Sequence, residues 1–235
     1  MSSTKHALCL LLIALVSAGC AHTGHVGRDR FSPTGIAPGE AVAILLAQRC
    51  AGLSESDCEE VPSAMAQMEF ETCFGDAMRA KKSDLAIIPA NEFLRSAFPV
   101  TDLHEAPRTS EAWLPMLHDA EFHQRVNRLR VRYLVVLKVS TFEGSSRRTF
   151  GAAQGMWGVG GEWDRTSSMV AEILDLREAR QSGKLTSSAH GKQGYVVPVF
   201  VIIPLPPVPY FAATEAKACS SLGRAAAKFV LEKDL

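Results

Sequence analysis

The chain lacks an excess of charge of either sign: 25 lysines and arginines face 25 aspartates and glutamates among its 235 residues. Without clustered cations there is no electrostatic footprint for nucleic acid and no polybasic segment for anionic lipid. No stretch after the N-terminus reaches the length of a membrane helix. The longest apolar region after the N-terminus, residues 195–213, carries five prolines and so excludes a regular membrane-spanning helix. There is no C-x-x-C, and Cys50, Cys58, Cys73 and Cys219, spaced by 8, 15 and 146 residues, match no zinc pattern. Neither a G-x-S-x-G elbow nor a Walker lysine occurs. No internal repeat is found. No cofactor or metal is expected.

What is present begins at the N-terminus, with MSSTKHALCLLLIALVSAGC. Lys5 precedes an unbroken apolar run over residues 7–16, then Ser17, Ala18 and Gly19, then Cys20. A basic start, a short apolar stretch and a small-residue cleavage site make a secretory signal, too short for the ~30 Å hydrocarbon core. Small residues directly before a cysteine resemble a bacterial lipobox, in which that cysteine is lipidated and becomes the mature N-terminus. Ser17 stands where a bulky aliphatic is more typical. Residues 1–19 are therefore expected as signal peptide, residues 20–38 as lipidated cysteine and flexible tether, and residues 39–235 as a single domain. The tether reading rests on the glycine, proline and polar content of AHTGHVGRDRFSPTGIAP. Ala21 after the cysteine, in place of an aspartate, leans by resemblance to lipoprotein sorting toward the outer membrane, facing the periplasm. Removal of Lys5 with the signal leaves 24 basic against 25 acidic residues, a net charge of −1.

Four cysteines remain after the signal and the lipid candidate. An even number in an exported chain favours disulfides, with three connectivities open. The pairing expected is Cys58 with Cys73 and Cys50 with Cys219, the alternative being buried free thiols.

Hydrophobic content is 47 %, ordinary for a folded chain. Residues 42–47 read as a buried strand, with a helix over 39–49 as the rival. Residues 52–62 read as a loop. Ser63 reads as the N-cap of a helix to about residue 80, whose Phe70, Phe74, Ala77 and Met78 share a face. A short strand at 85–89 and a helix at 90–97 ending before Pro99 follow. Residues 107–130 hold one or two helices, capped by Ser110 and Asp119, with Phe122, Val126 and Leu129 on one face. Residues 133–139 read as a strand whose first five residues are all apolar, as in a strand covered on both faces, before alternation begins at Lys138. Residues 143–148 read as a polar connection and 151–161 as a glycine-rich loop. Strands are expected at 162–176, 182–190 and 195–203, with a hairpin around 177–181. Thr214 caps a C-terminal helix with Cys219, Leu222, Ala226, Phe229 and Val230 inward. The order predicts α/β (α+β): a mixed β-sheet of about five strands flanked by helices, with the C-terminal helix packed on the sheet.

Ile87-Ile88-Pro89, Glu92-Phe93, Phe98-Pro99, Tyr133-Leu134-Val135-Val136, Asp175-Leu176 and Thr214-Glu215-Ala216 with Cys219 together resemble a group of uncharacterised proteobacterial envelope lipoproteins. The resemblance covers most of residues 40–232. More distantly, the element order is similar to the small α/β domain of the curli-secretion lipoprotein and to the N-terminal domain of the Tol-system translocation protein. Fold analogy carries no function.

Each candidate site has a bland rival. The run Gly155-Met-Trp-Gly-Val-Gly-Gly161 fails as a dinucleotide fingerprint, because Trp163 occupies the third glycine position and a strand follows. Met156, Trp157 and Trp163 instead suggest a contact loop for a partner or a lipid surface, or tryptophans packed over the sheet end. His104, Glu105, His118, Asp119 and His123 are metal-ligand types, but His118 and His123 diverge by about 140° on one helix. Exposed helix histidines are the plainer reading. Glu162, Asp164, Glu172 and Asp175 read as a polar sheet face, and Arg125, Arg128, Arg130 and Arg132 as cations at a helix end. Pro204 and Pro209 bound a polyproline II connector.

The sequence therefore leads to a non-enzymatic, lipid-anchored module that binds an envelope protein partner or assembles with one. The alternatives are an envelope hydrolase using residues 104–123 and a small-ligand carrier.

Overall fold

A computed structural model describes residues 18–19, 21–52, 58–59, 62–99, 106–153, 156–200, 203–204 and 208–232. The strands are β1 (Ala18–Gly19), β2 (His22–Arg30), β3 (Ala41–Gly52), β4 (Cys58–Glu59), β5 (Ala86–Ile88), β6 (Val131–Ala153), β7 (Met156–Asp175), β8 (Arg180–Phe200), β9 (Ile203–Pro204) and β10 (Val208–Ala212). The helices are α1 (Ala64–Arg79), α2 (Ala90–Ala97), α3 (Ser110–Trp113), α4 (Ala120–Asn127) and α5 (Thr214–Leu231), with a 3-10 turn at Met116–His118. Among the described residues no helix is long and apolar enough to cross a membrane.

The fold is α/β with a mixed sheet, in the order β1-β10-β8-β7-β6-β3-β4; β2 and β9 also pair with β8, and β5 with β3. The sheet has ten strand segments rather than five. β3 runs parallel to β5 and β6, and β6, β7 and β8 are successively antiparallel.

Alternation of side chains along a strand sorts the core into two layers. Val42, Ile44 and Leu46 of β3, with Tyr133, Val135 and Leu137 of β6, lie under α1 and α5, against Phe70, Phe74, Leu222 and Phe229. Ala41, Ala43 and Leu45, with Leu134 and Val136, lie under α2, α3 and α4, against Phe93, Trp113 and Phe122. Both faces are covered, which is why these strands show no polar alternation. Each fully buried large side chain contributes about 1.5–3 kcal/mol of transfer free energy.

The helix boundaries follow local chemistry. Ser63 Oγ accepts the Ala66 N–H at 3.2 Å, and Asp119 accepts from Glu121 and Phe122 at 2.7 and 3.0 Å. The Asp119 carboxyl is accordingly held below its ordinary range, chiefly by the bonds to Phe122 and Glu121. Thr109, not Ser110, caps α3, because the Ser110 hydroxyl turns inward and donates to Glu172 at 2.7 Å. Thr214 is the first residue of α5 rather than its cap; its hydroxyl bonds Ser167 at 2.7 Å, and Ser167 bonds Thr141 at 3.0 Å.

Four expectations are corrected. Residues 22–30 of the supposed tether are β2, paired with β8 from His22↔His190 to Arg30↔Gly183. β2 is largely exposed, so it shows no apolar period; its backbone pairs satisfy it instead. Residues 143–148 and 151–161 are not connection and loop. β6 continues to Ala153 across a bulge between Glu143 and Ser146, and β7 begins at Met156. The strand at 195–203 is not separate but continues β8 as far as Phe200. The proline segment supplies β9 and β10, both hydrogen-bonded to β8, in place of a polyproline connector; residues 205–207 lie outside the described residues.

The disulfide pairing is also corrected: Cys50 bonds Cys58, and Cys73 bonds Cys219. β3 and β4 pair Cys50 directly across from Cys58. Cys73 and Cys219 sit on the facing sides of α1 and α5, which pack so closely that a Cβ on Gly223 would come within 2.7 Å of the Phe74 carbonyl oxygen.

Candidate contact surface on the extended sheet

β6, β7 and β8 outrun the helices. The helix-covered portion ends at the Thr141–Ser167–Thr214 hydroxyl chain. Beyond it lies a polar collar. Arg165 donates to Gln193 and to Glu215, each at 3.0 Å, Gln193 donates to Glu143 at 2.7 Å, and Arg49 pairs with Glu215 at 3.3 Å. The collar ties the first turn of α5 to three strands, with Glu215 suited to the positive helix end.

One step further, the three strands carry Arg147, Arg148, Glu162, Trp163, Asp164, Lys192 and Tyr195. Lys192 donates to Glu162 at 2.7 Å, which raises its pKa. Trp163 is half-buried and meets Tyr195 edge-on, with ring centroids 6.4 Å apart; Tyr195 is 43 % exposed. After this level the charges stop. Residues 149–161 and 193–214 contain none. The register aligns the three strands of this uncharged arm: Ala152↔Trp157↔Val199, Phe150↔Val159↔Val197 and Gly151↔Gly158↔Pro198. Of the contact residues expected from sequence, Met156 and Trp157 thus stand in β7 near the arm tip, and Trp163 at the charge boundary. What the sequence hid was that all three belong to one continuous sheet.

The other candidates do not converge. His104 and Glu105 lie outside the described residues. His118 is exposed, the Asp119 carboxylate is occupied as a cap, and His123 Nε2 bonds the Leu117 carbonyl. Among the described residues no group of three or more His, Cys, Asp or Glu could hold a metal. The carboxylates of β7 do not pair with one another. Glu172 meets Lys138 at 3.3 Å, Glu162 meets Lys192, and Asp175 meets Arg132 at 2.7 Å. The arginine ridge is likewise divided: Arg125 donates to the Ala97 carbonyl and Arg132 to Asp175. Cys20 lies outside the described residues.

A cavity of about 340 Å³ opens at the opposite end of the sheet, lined by Glu40, Arg132, Arg177, Glu178 and Arg180 among others. Its charged lining suits a polar ligand better than the apolar ligand a carrier would enclose. Beside it the Tyr133 hydroxyl accepts from the Gly35 N–H at 2.9 Å and donates to the Gly35 carbonyl at 3.1 Å. Burial chiefly pushes the Tyr133 pKa up. The folded state therefore keeps this proton where the unfolded chain loses it. That stability is present below pH ~10 and is lost as pH rises through the raised folded value. Tyr133→Phe is expected to cost about 1 kcal/mol at neutral pH and to remove part of the alkaline loss in a urea-unfolding series. An unchanged alkaline profile would assign that loss to other groups.

No protein-family model matches the chain, and no curated protein does. Among solved structures it is similar to the PelC dodecamer from Paraburkholderia phytofirmans, with 14 % identity over 89 % of this chain and 100 % of that one at a TM-score of 0.36. It is also similar to a neuraminyllactose-binding hemagglutinin homolog from Helicobacter pylori, with 7 % identity, 85 % and 83 % coverage and a TM-score of 0.29. Likeness at these scores carries no argument about fold or function.

Proposed function

We propose that the chain is a bacterial envelope lipoprotein. A lipid on Cys20 holds it at the inner leaflet of the outer membrane, and its domain faces the periplasm as a non-enzymatic binding or assembly module. The observation that carries this reading is the N-terminal run ending in Ser17-Ala18-Gly19-Cys20. The disulfides support it. Cys50, Cys58, Cys73 and Cys219 are all consumed in pairs, as an oxidising compartment favours. The contact surface in this reading is the sheet arm that bears Met156, Trp157 and Trp163. The hydrolase alternative draws nothing from His118, Asp119 or His123.

Fractionation with protease access tests location and facing together. The protein is expected in the outer-membrane density fraction, and added protease should cleave it only after the outer membrane is permeabilised. Recovery in the cytosol, or protection after permeabilisation, contradicts the reading.

A further inference from the structure

We propose that the uncharged end of the sheet arm is a wedge that enters one leaflet of a lipid bilayer, with Trp163 and Tyr195 at the headgroup level. This deepens the reading of Cys20 as a lipid anchor and rests on it.

Three independent features fall at one level of the sheet. The first is the charge boundary. In three adjacent strands the last charges before the tip are Arg148, Glu162 and Lys192, and the register puts Arg147 opposite Glu162 and Asp164 opposite Lys192. A receptor-binding arm has no need to exclude charge from all its strands at a common height. A bilayer imposes that, because ionised groups are costly in hydrocarbon. The second feature is the aromatic pair at the boundary. Trp163 and Tyr195 are amphipathic rings of the kind enriched where hydrocarbon meets headgroups. The third is the anchor. His22 pairs with His190, two residues below Lys192 on β8, and β2 runs antiparallel to β8. The chain before His22 therefore heads toward the arm. Cys20, the lipid candidate, stands two residues before His22 in the sequence.

The length decides how deep the wedge goes. From Thr149 to Ala153, and from Met156 to Gly161, each leg of the β6–β7 hairpin has five or six uncharged residues. At ~3.3 Å per residue a leg reaches about 17–20 Å. A leaflet is about half of the ~30 Å hydrocarbon core. The arm crosses one leaflet and stops, short of the 9–11 residues per strand that a transmembrane strand needs. Pairing of β6, β7 and β8 within the arm satisfies their backbone groups in a medium without water.

The mature chain, purified from membranes with its N-terminus intact, is reconstituted into phosphatidylethanolamine–phosphatidylglycerol vesicles. Half the preparations carry brominated acyl chains, which quench tryptophan only on close approach. Trp113 is fully buried and serves as the unquenched reference among the three tryptophans. The expected result is selective loss of emission in brominated vesicles that disappears in Trp157→Phe. Val159→Asp with Val197→Asp should also abolish it, while the protein still floats with the vesicles through its lipid. Equal wild-type emission in brominated and plain vesicles overturns the wedge. If that chain floats, the anchor stands and the arm is left to a protein partner. If a chain without a lipidated N-terminus is quenched, the wedge stands and the anchor reading falls.

Discussion

Asp175→Ala is expected to lower the unfolding free energy by about 3–5 kcal/mol, the usual cost of leaving one member of a buried ion pair alone. Asp175 is fully buried at the end of β7, and its Oδ2 meets Arg132 Nη2 at 2.7 Å. Its Oδ1 accepts the backbone N–H groups of Arg177 and Glu178 at 3.0 and 2.9 Å, closing the turn into β8. The substitution therefore strips a charge from Arg132, itself only 11 % exposed at the side chain, and opens the β7–β8 turn. Glu178 lies 3.7 Å from Arg132 and can partly replace the lost partner, which keeps the loss toward the lower end. Asp175→Asn retains an acceptor for the turn but not the charge, and should fall between wild type and alanine. Urea midpoints with an unchanged m-value read this out. A loss below about 1 kcal/mol for alanine would mean that the pair and the turn are not a shared support.

The second large effect belongs to the Cys73–Cys219 disulfide. It closes a sequence separation of 146 residues, joining α1 to α5. Loop-closure entropy gives about 5 kcal/mol for a loop of this size, and measured values run about 2–5 kcal/mol. Cys50–Cys58 spans eight residues and the same relation gives about 2.5 kcal/mol. The double variant Cys73→Ala, Cys219→Ala should thus lose about twice as much stability as Cys50→Ala, Cys58→Ala, measured by urea unfolding. Alanine avoids burying a hydroxyl at position 219, which is only 1 % exposed. Equal losses would point to native-state packing rather than chain entropy as the source.

The pairing itself was not legible in the sequence. The expected pairing joined Cys58 to Cys73, one of three connectivities that the spacing left open. The deciding fact is that residues 58–59 return to β3 as a short strand, and nothing in Cys58-Glu59 signals that. The compact part of the fold was legible where local and tertiary preferences agree. Ser63 with Phe70, Phe74 and Met78, and Phe229 with Val230, each carry a cap or a period that the helices satisfy, while residues 42–47 left strand and helix as rivals until both faces of β3 were seen to be covered. Residues 22–30 and 143–161 were not, for one shared reason. Glycines and polar residues there lack strand propensity of their own, and their strand state comes from hydrogen bonds to β8 and between β6 and β7. The candidate contact residues Met156, Trp157 and Trp163 could be named from composition. Their alignment with Tyr195 and Lys192 across the sheet could not, because it depends on the β7–β8 register, which shifts between Ile173 and Leu174. The uncharged stretches 149–161 and 193–214 were visible throughout, and gain meaning only once register stacks them side by side.

The most direct measurement of the central claim is the mass of the N-terminal peptide of the protein isolated from its native envelope. The account predicts a chain that begins at Cys20 and carries a diacylglyceryl thioether. A mature chain that begins at any other residue, or that carries Cys20 unmodified, contradicts it.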